Sequence, residues 1–155
     1  MTATKGRNDS SKTMAEALAR VLANTYTLYL KTHNYHWNVT GPQFASLHTL
    51  FETQYTELAA AVDTIAERIR ALGHVAPGSY AAFGKLSEVK EAPDSPPEAM
   101  QMIRELAADN EALTKLVDKA NAVADENDDV ASGDMMIERM QVHAKSAWML
   151  RAHLE

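Results

Sequence analysis

The chain has 155 residues, about one domain's length, and 46% of them are hydrophobic, enough to bury a core. It contains no Cys, so disulfides and thiolate ligands are excluded and any metal site must draw on His and carboxylates. A net charge of −6 argues against a surface built to coat nucleic acid and favours attraction of cations.

The opening stretch MTATKGRNDSSKT has no apolar segment behind its charges and does not read as a secretory signal. No apolar run approaches a membrane span, so a cytoplasmic protein is expected. Residues 1–12 read as a flexible tail and residues 13–155 as one helical domain. The first helix is expected to start at a capping box, Thr13-Met14-Ala15-Glu16, with Met14, Leu18, Val21, Leu22, Leu28 and Tyr29 at helical spacing. Gly41-Pro42 breaks the chain. A second helix follows from about Pro42 to Leu72, stopping before Gly73. Its stripe of Leu47, Phe51, Tyr55, Leu58, Val62, Ile65, Ile69 and Leu72 marks a core face.

Residues 74–97 carry Pro77-Gly78, Gly84, Pro93, Pro96 and Pro97 and read as a long crossover with a short helix at Lys85–Glu91. A second capping box, Ser95-Pro96-Pro97-Glu98, is expected to open the third long helix, which runs through Ile103, Leu106, Leu113 and Val117. The acidic run Asp125–Asp129 interrupts it. The last helix is expected from about Ser132 to the C-terminus. The fold class is all-α: a four-helix bundle with a long crossover, carrying a short helix, between its second and third helices. That is the ferritin-like arrangement.

Four metal-capable residues lie on the second helix. Taking His48 as zero, Glu52, Asp63 and Glu67 fall at about 40°, 60° and 100° around the axis, so all four share one face. The His48/Glu52 pair nevertheless sits about 22 Å along the helix from the Asp63/Glu67 pair, too far to share a metal. Two antiparallel copies about a two-fold between residues 57 and 58 bring His48 to the partner's Glu67 and Glu52 to the partner's Asp63. Thr56 and Ala59 pair across the same axis, and both are small enough for close helix approach. A further ligand is available from His33 or His36 on the first helix. The same residues also fit a plain solvated face. As ligands they suit iron, manganese or zinc alike.

The stretch Asn34-Tyr35-His36-Trp37-Asn38-Val39-Thr40-Gly41-Pro42, then Phe44, Leu47-His48, Glu52 and Asp63-Thr64-Ile65-Ala66-Glu67-Arg68, resembles the Dps family of mini-ferritins. The resemblance covers nearly the whole chain. It implies a homo-dodecameric shell that oxidises Fe(II), with hydrogen peroxide as oxidant, and stores the ferric product, protecting DNA and cell from oxidative damage. It also implies an inter-subunit site for two irons: His36 with the partner's Asp63 and Glu67 at the tighter position, His48 and Glu52 completing the second. Many members carry aspartate where this chain has Glu52. The extra methylene bears on the affinity of the second iron. No Glu here is followed three residues later by His, so the intra-chain Glu-x-x-His signature of other di-iron bundles is missing.

The resemblance further places Trp37 beside the iron as a radical trap, although packing in the core is its simpler reading. Trp148 reads as packing or interface, and His33, His74, His143 and His153 as non-ligands. Asp128, Asp129 and Asp134 are candidates to line negative pores of the shell. Lys5, Arg7 and Lys12 are candidates for a DNA-binding tail, a sparse one set against an acidic body. The alternative reading of the whole chain is therefore a nucleoid-associated protein that protects DNA chiefly by binding it.

Overall fold

The computed structural model describes residues 2–155, with side chains from residue 9 onward. Its elements are α1 (Thr2–Asn38), α2 (Phe44–Ala71), α3 (Tyr80–Leu86), α4 (Ala99–Glu126) and α5 (Val130–Arg151). Among the described residues there is no strand, and no helix is long and apolar enough to cross a membrane. α1 packs along α2, α4 along α5, and α1 against α4, while α3 lies on α1. The four long helices form the expected bundle, and the crossover carries the expected short helix.

Two clusters fill the bundle. One joins Leu28, Tyr35, Leu47, Phe51, Leu58, Ile103, Leu106 and Leu150, the other Met14, Leu18, Leu22, Ile65, Ile69, Phe83, Val117 and Met136. Cutting one of their large aliphatic side chains back to Ala costs about 2–5 kcal/mol. Along α5, buried Arg139 and His143 fall between Met136 and Leu150, so a polar layer interrupts the apolar filling.

Several boundaries differ from expectation, each for a local reason. α1 runs through Thr13 instead of starting there. The Thr13 hydroxyl donates back to the Asp9 carbonyl at 2.9 Å, a mid-helix bond. The boundary drawn between residues 12 and 13 thus falls inside this helix. The short helix lies earlier than Lys85–Glu91, because Ser79 caps it by accepting from the Ala82 amide at 3.1 Å. It cannot continue past Leu86: buried Asn24 takes the Glu88 and Val89 amides on its Oδ1, at 2.8 and 3.0 Å. α4 starts only at Ala99, and Glu98 occupies the cap position without a side-chain bond. Pro97 disfavours helical backbone at Pro96, so the Ser95 box cannot close. α5 starts at Val130 and ends at Arg151, short of the C-terminus.

The helix ends that hold the site are defined sharply. Gly41, at φ 107°, turns the chain from α1 into α2, a conformation that L side chains rarely adopt. Gly73, at φ 90°, ends α2.

Candidate metal centre

α1 ends and α2 begins around the Gly41 turn, which lays His36 beside His48. The two imidazoles stack with centroids 3.7 Å apart and planes 18° from parallel. His36 Nδ1 lies 2.7 Å from the His48 carbonyl, and His48 Nδ1 lies 2.8 Å from the His36 carbonyl. A carbonyl only accepts, so each Nδ1 carries the proton and donates. Both Nε2 lone pairs are thereby left free. A carbonyl on the far nitrogen is the usual support of a metal-binding histidine, fixing its tautomer and ring angle. Phe44 stacks on His48 at 5.1 Å, and Tyr55 stands edge-on to His36, also at 5.1 Å.

His36 is buried and His48 half-buried, whereas Glu52, Asp63 and Glu67 are exposed on the outer face of α2. Glu67 is held above the usual carboxylate range by its hydrogen bond to Asp63 and by the Asp63 charge. Two adjacent exposed carboxyls on one helix face make a station suited to a cation. Among the described residues, no three His, Asp or Glu side chains of one chain come together to hold an ion. The geometry brings His36 and His48 together, with Glu52 one turn further along α2, and leaves Asp63 and Glu67 as a separate pair. Thr56 and Ala59, between the stations, are exposed as well.

The other candidates sort differently. Trp37 is not a core residue: it is 58% exposed, and its ring lies 3.9 Å from that of His33. Trp148 is 61% exposed. His143 is fully buried, and its Nδ1 meets Asn110 Oδ1 at 3.0 Å. Asp129 serves as the cap of α5: Oδ1 accepts from the Ser132 amide at 3.1 Å and from Arg68 Nη2 at 2.7 Å, and Oδ2 from the Ser132 hydroxyl at 2.6 Å. Asp128 and Asp134 are exposed. The side chains of Lys5 and Arg7 lie outside the described residues, and Lys12 pairs with Glu16 at 3.9 Å, both exposed.

Reading the sequence missed the clasp itself, since a backbone carbonyl leaves no mark in a motif. It also missed Phe44 and Tyr55 as walls of the site; Tyr55 read only as a member of the core stripe. The network of Arg139, Glu57, His143 and Asn110 was missed too. Its one sequence signal is an Arg and a His one turn apart on the apolar side of α5.

The ferritin-like domain family model matches residues 15–155. A DNA protection during starvation protein from Brevibacillus brevis is 39% identical over 92% of this chain and 95% of its own. The crystal structure of a Dps protein from Bacillus brevis superposes with a TM-score of 0.91 at 38% identity, covering 95% of this chain and 98% of that one. A Dps protein from Vibrio cholerae, described as a member of a broad superfamily of ferritin-like diiron-carboxylate proteins, superposes at 0.91 with 31% identity, over 96% of this chain and 92% of its own. The helical bundle agrees with these likenesses, and the chain belongs to the Dps family within the ferritin-like domain proteins.

Proposed function

We propose that this protein is a ferroxidase and iron store whose active site is completed only between two chains. In this reading His36 Nε2 joins the partner's Asp63 and Glu67 around one Fe(II), and His48 with Glu52 holds the second. The observation that carries it is the reciprocal clasp, which leaves two free Nε2 lone pairs on one chain with only Glu52 of that chain a helical turn away, too few ligands for two ions. The exposed Asp63/Glu67 pair supplies the missing anionic ligands when α2 meets a second α2 antiparallel. Carboxylates favour Fe(III) over Fe(II) and so promote oxidation. Two Fe(II) ions give two electrons to one hydrogen peroxide, which takes up two protons and leaves as two waters, with no hydroxyl radical released. The ferric product then collects inside a closed shell of twelve chains in the cytoplasm, with Asp128 and Asp134 drawing Fe(II) toward its pores.

Protection of DNA follows from removing iron and peroxide together. Direct binding through Lys5, Arg7 and Lys12 is the second reading, favoured by the name of the Brevibacillus relative. Lys12 is already ion-paired, and a gel shift that persists after deletion of residues 1–12 would end it.

The test adds Fe(II) and then hydrogen peroxide to the metal-free protein and follows ferric absorbance and particle mass. Rapid oxidation that stays in solution with a shell of twelve chains supports the reading. Oxidation no faster than with an unrelated acidic protein sinks it.

A further inference from the structure

Beyond the iron ligands, aromatic rings continue in unbroken contact away from the site. Tyr55 stands 5.1 Å from His36, Tyr29 lies 6.3 Å from Tyr55, Tyr26 5.6 Å from Tyr29, and Tyr80 6.4 Å from Tyr26. The rings come from three elements, α2, α1 and α3, so the chain is not a by-product of one helix's period. Four of the protein's five tyrosines are in it. The fifth, Tyr35, instead gives its hydroxyl proton to Glu105. Phenylalanine or leucine fills space between helices equally well; what tyrosine adds is a phenol that can lose an electron and a proton. Electron tunnelling falls exponentially with distance, so rings in edge contact pass charge far faster than one jump over the same span. Burial and the neighbouring Tyr80 phenol hold the Tyr26 proton more tightly than usual.

We propose that Tyr55, Tyr29, Tyr26 and Tyr80 form an electron relay that completes peroxide reduction when a site holds only one Fe(II). The proposal rests on the ferroxidase reading above. One Fe(II) supplies one electron, whereas breaking the O–O bond of hydrogen peroxide cleanly takes two. Without a second donor the other half leaves as hydroxyl radical. With the relay, Fe(II), hydrogen peroxide and one tyrosine give Fe(III), hydroxide, water and one phenoxyl radical, so atoms and charge balance. Each further hop moves one electron and one phenolic proton inward from the next tyrosine. The oxidising equivalent thus travels outward from Tyr55 to the Tyr26/Tyr80 pair.

The experiment loads the shell with less than one Fe(II) per site, adds hydrogen peroxide and freezes the sample for electron paramagnetic resonance. A parallel sample carries a nitroso spin trap, and its adducts are located by peptide mass spectrometry. The wild type is expected to show a tyrosyl signal with adducts at Tyr26 or Tyr80. Tyr55→Phe and Tyr29→Phe keep the ring packing, and each is expected to lower those adducts severalfold and raise free hydroxyl-radical adducts, with two-iron oxidation unchanged in Tyr29→Phe, which lies away from the ligands. Iron oxidation without a tyrosyl signal, or with adducts unaltered in both variants, overturns the relay alone. Absence of any iron oxidation in the wild type overturns the ferroxidase reading and the relay with it.

Discussion

Arg139 and His143 lie one turn apart on α5, and the guanidinium Nη2 donates to the imidazole Nε2 at 3.2 Å. His143 must therefore be neutral, with its Nδ1–H given to Asn110. Burial, and then the Arg139 charge, pushes its pKa down from 6.5 to about 3.

The sign of the consequence is fixed. The unfolded chain takes up a proton here below pH 6.5 and the folded chain does not, so the stabilisation is full above 6.5 and drains as pH falls toward 3. In that window each chain loses about 1.4 kcal/mol per pH unit from this group. Melting temperatures across the window should fall less steeply for His143→Gln than for wild type. Parallel curves would show that His143 does not set acid sensitivity.

His36 and His48 each hold the other's ring through a backbone bond, so they should act as a unit. His36→Ala and His48→Ala are each expected to weaken Fe(II) binding by about 10–100-fold. The double variant should be far less impaired than the product of the two losses. Titration of Fe(II) into the four proteins under nitrogen checks this, and strict additivity would mean that the clasp does not couple the ligands.

If the site is shared, damage on two different chains can be complemented. Asp63→Asn and His48→Ala chains should each form shells with little activity. Co-expressed in equal amounts they should regain about a quarter of the wild-type sites, since half of the two-folds are hybrid and each hybrid holds one intact site. Single-turnover iron oxidation on mixed shells of verified composition measures the fraction. No recovery would place the ligands within one chain.

The acids of the α4–α5 turn should separate by role. Asp129→Ala removes a helix cap and strands Arg68, and is expected to cost about 1–2 kcal/mol per chain. Asp128→Asn and Asp134→Asn touch no described partner of that kind and are expected instead to slow iron entry while leaving melting unchanged. Thermal denaturation and stopped-flow oxidation read the two effects apart. Equal slowing in all three would return Asp129 to the pore.

The bundle was legible because its signals are local. Leu47, Phe51, Leu58, Ile65 and Ile69 repeat at helical spacing and are all buried. Gly73 stops α2 where it was expected to. The start of α1 misread because a Thr hydroxyl that can cap a helix can equally bond back within one, and the spacing to Glu16 does not distinguish the two. The crossover misread because the chain beyond α3 is held by Asn24, more than sixty residues earlier in sequence, so the helix cannot extend through Glu91. Within the candidate site, His48, Glu52, Asp63 and Glu67 could be proposed from residue type and spacing, whereas His36 was chosen over His33 only through the family resemblance. Their tautomers and walls could not, because these depend on carbonyls and rings that meet only across the Gly41 turn.

The distance between the two stations on α2 carries a consequence for the cell's handling of the chain before assembly. A newly released polypeptide, on the shared-site reading, offers iron two half-sites and no place to react. The dangerous chemistry is silent until a partner docks, so quality control is written into the ligand spacing: misassembled chains are harmless, and only correct pairing arms the catalyst.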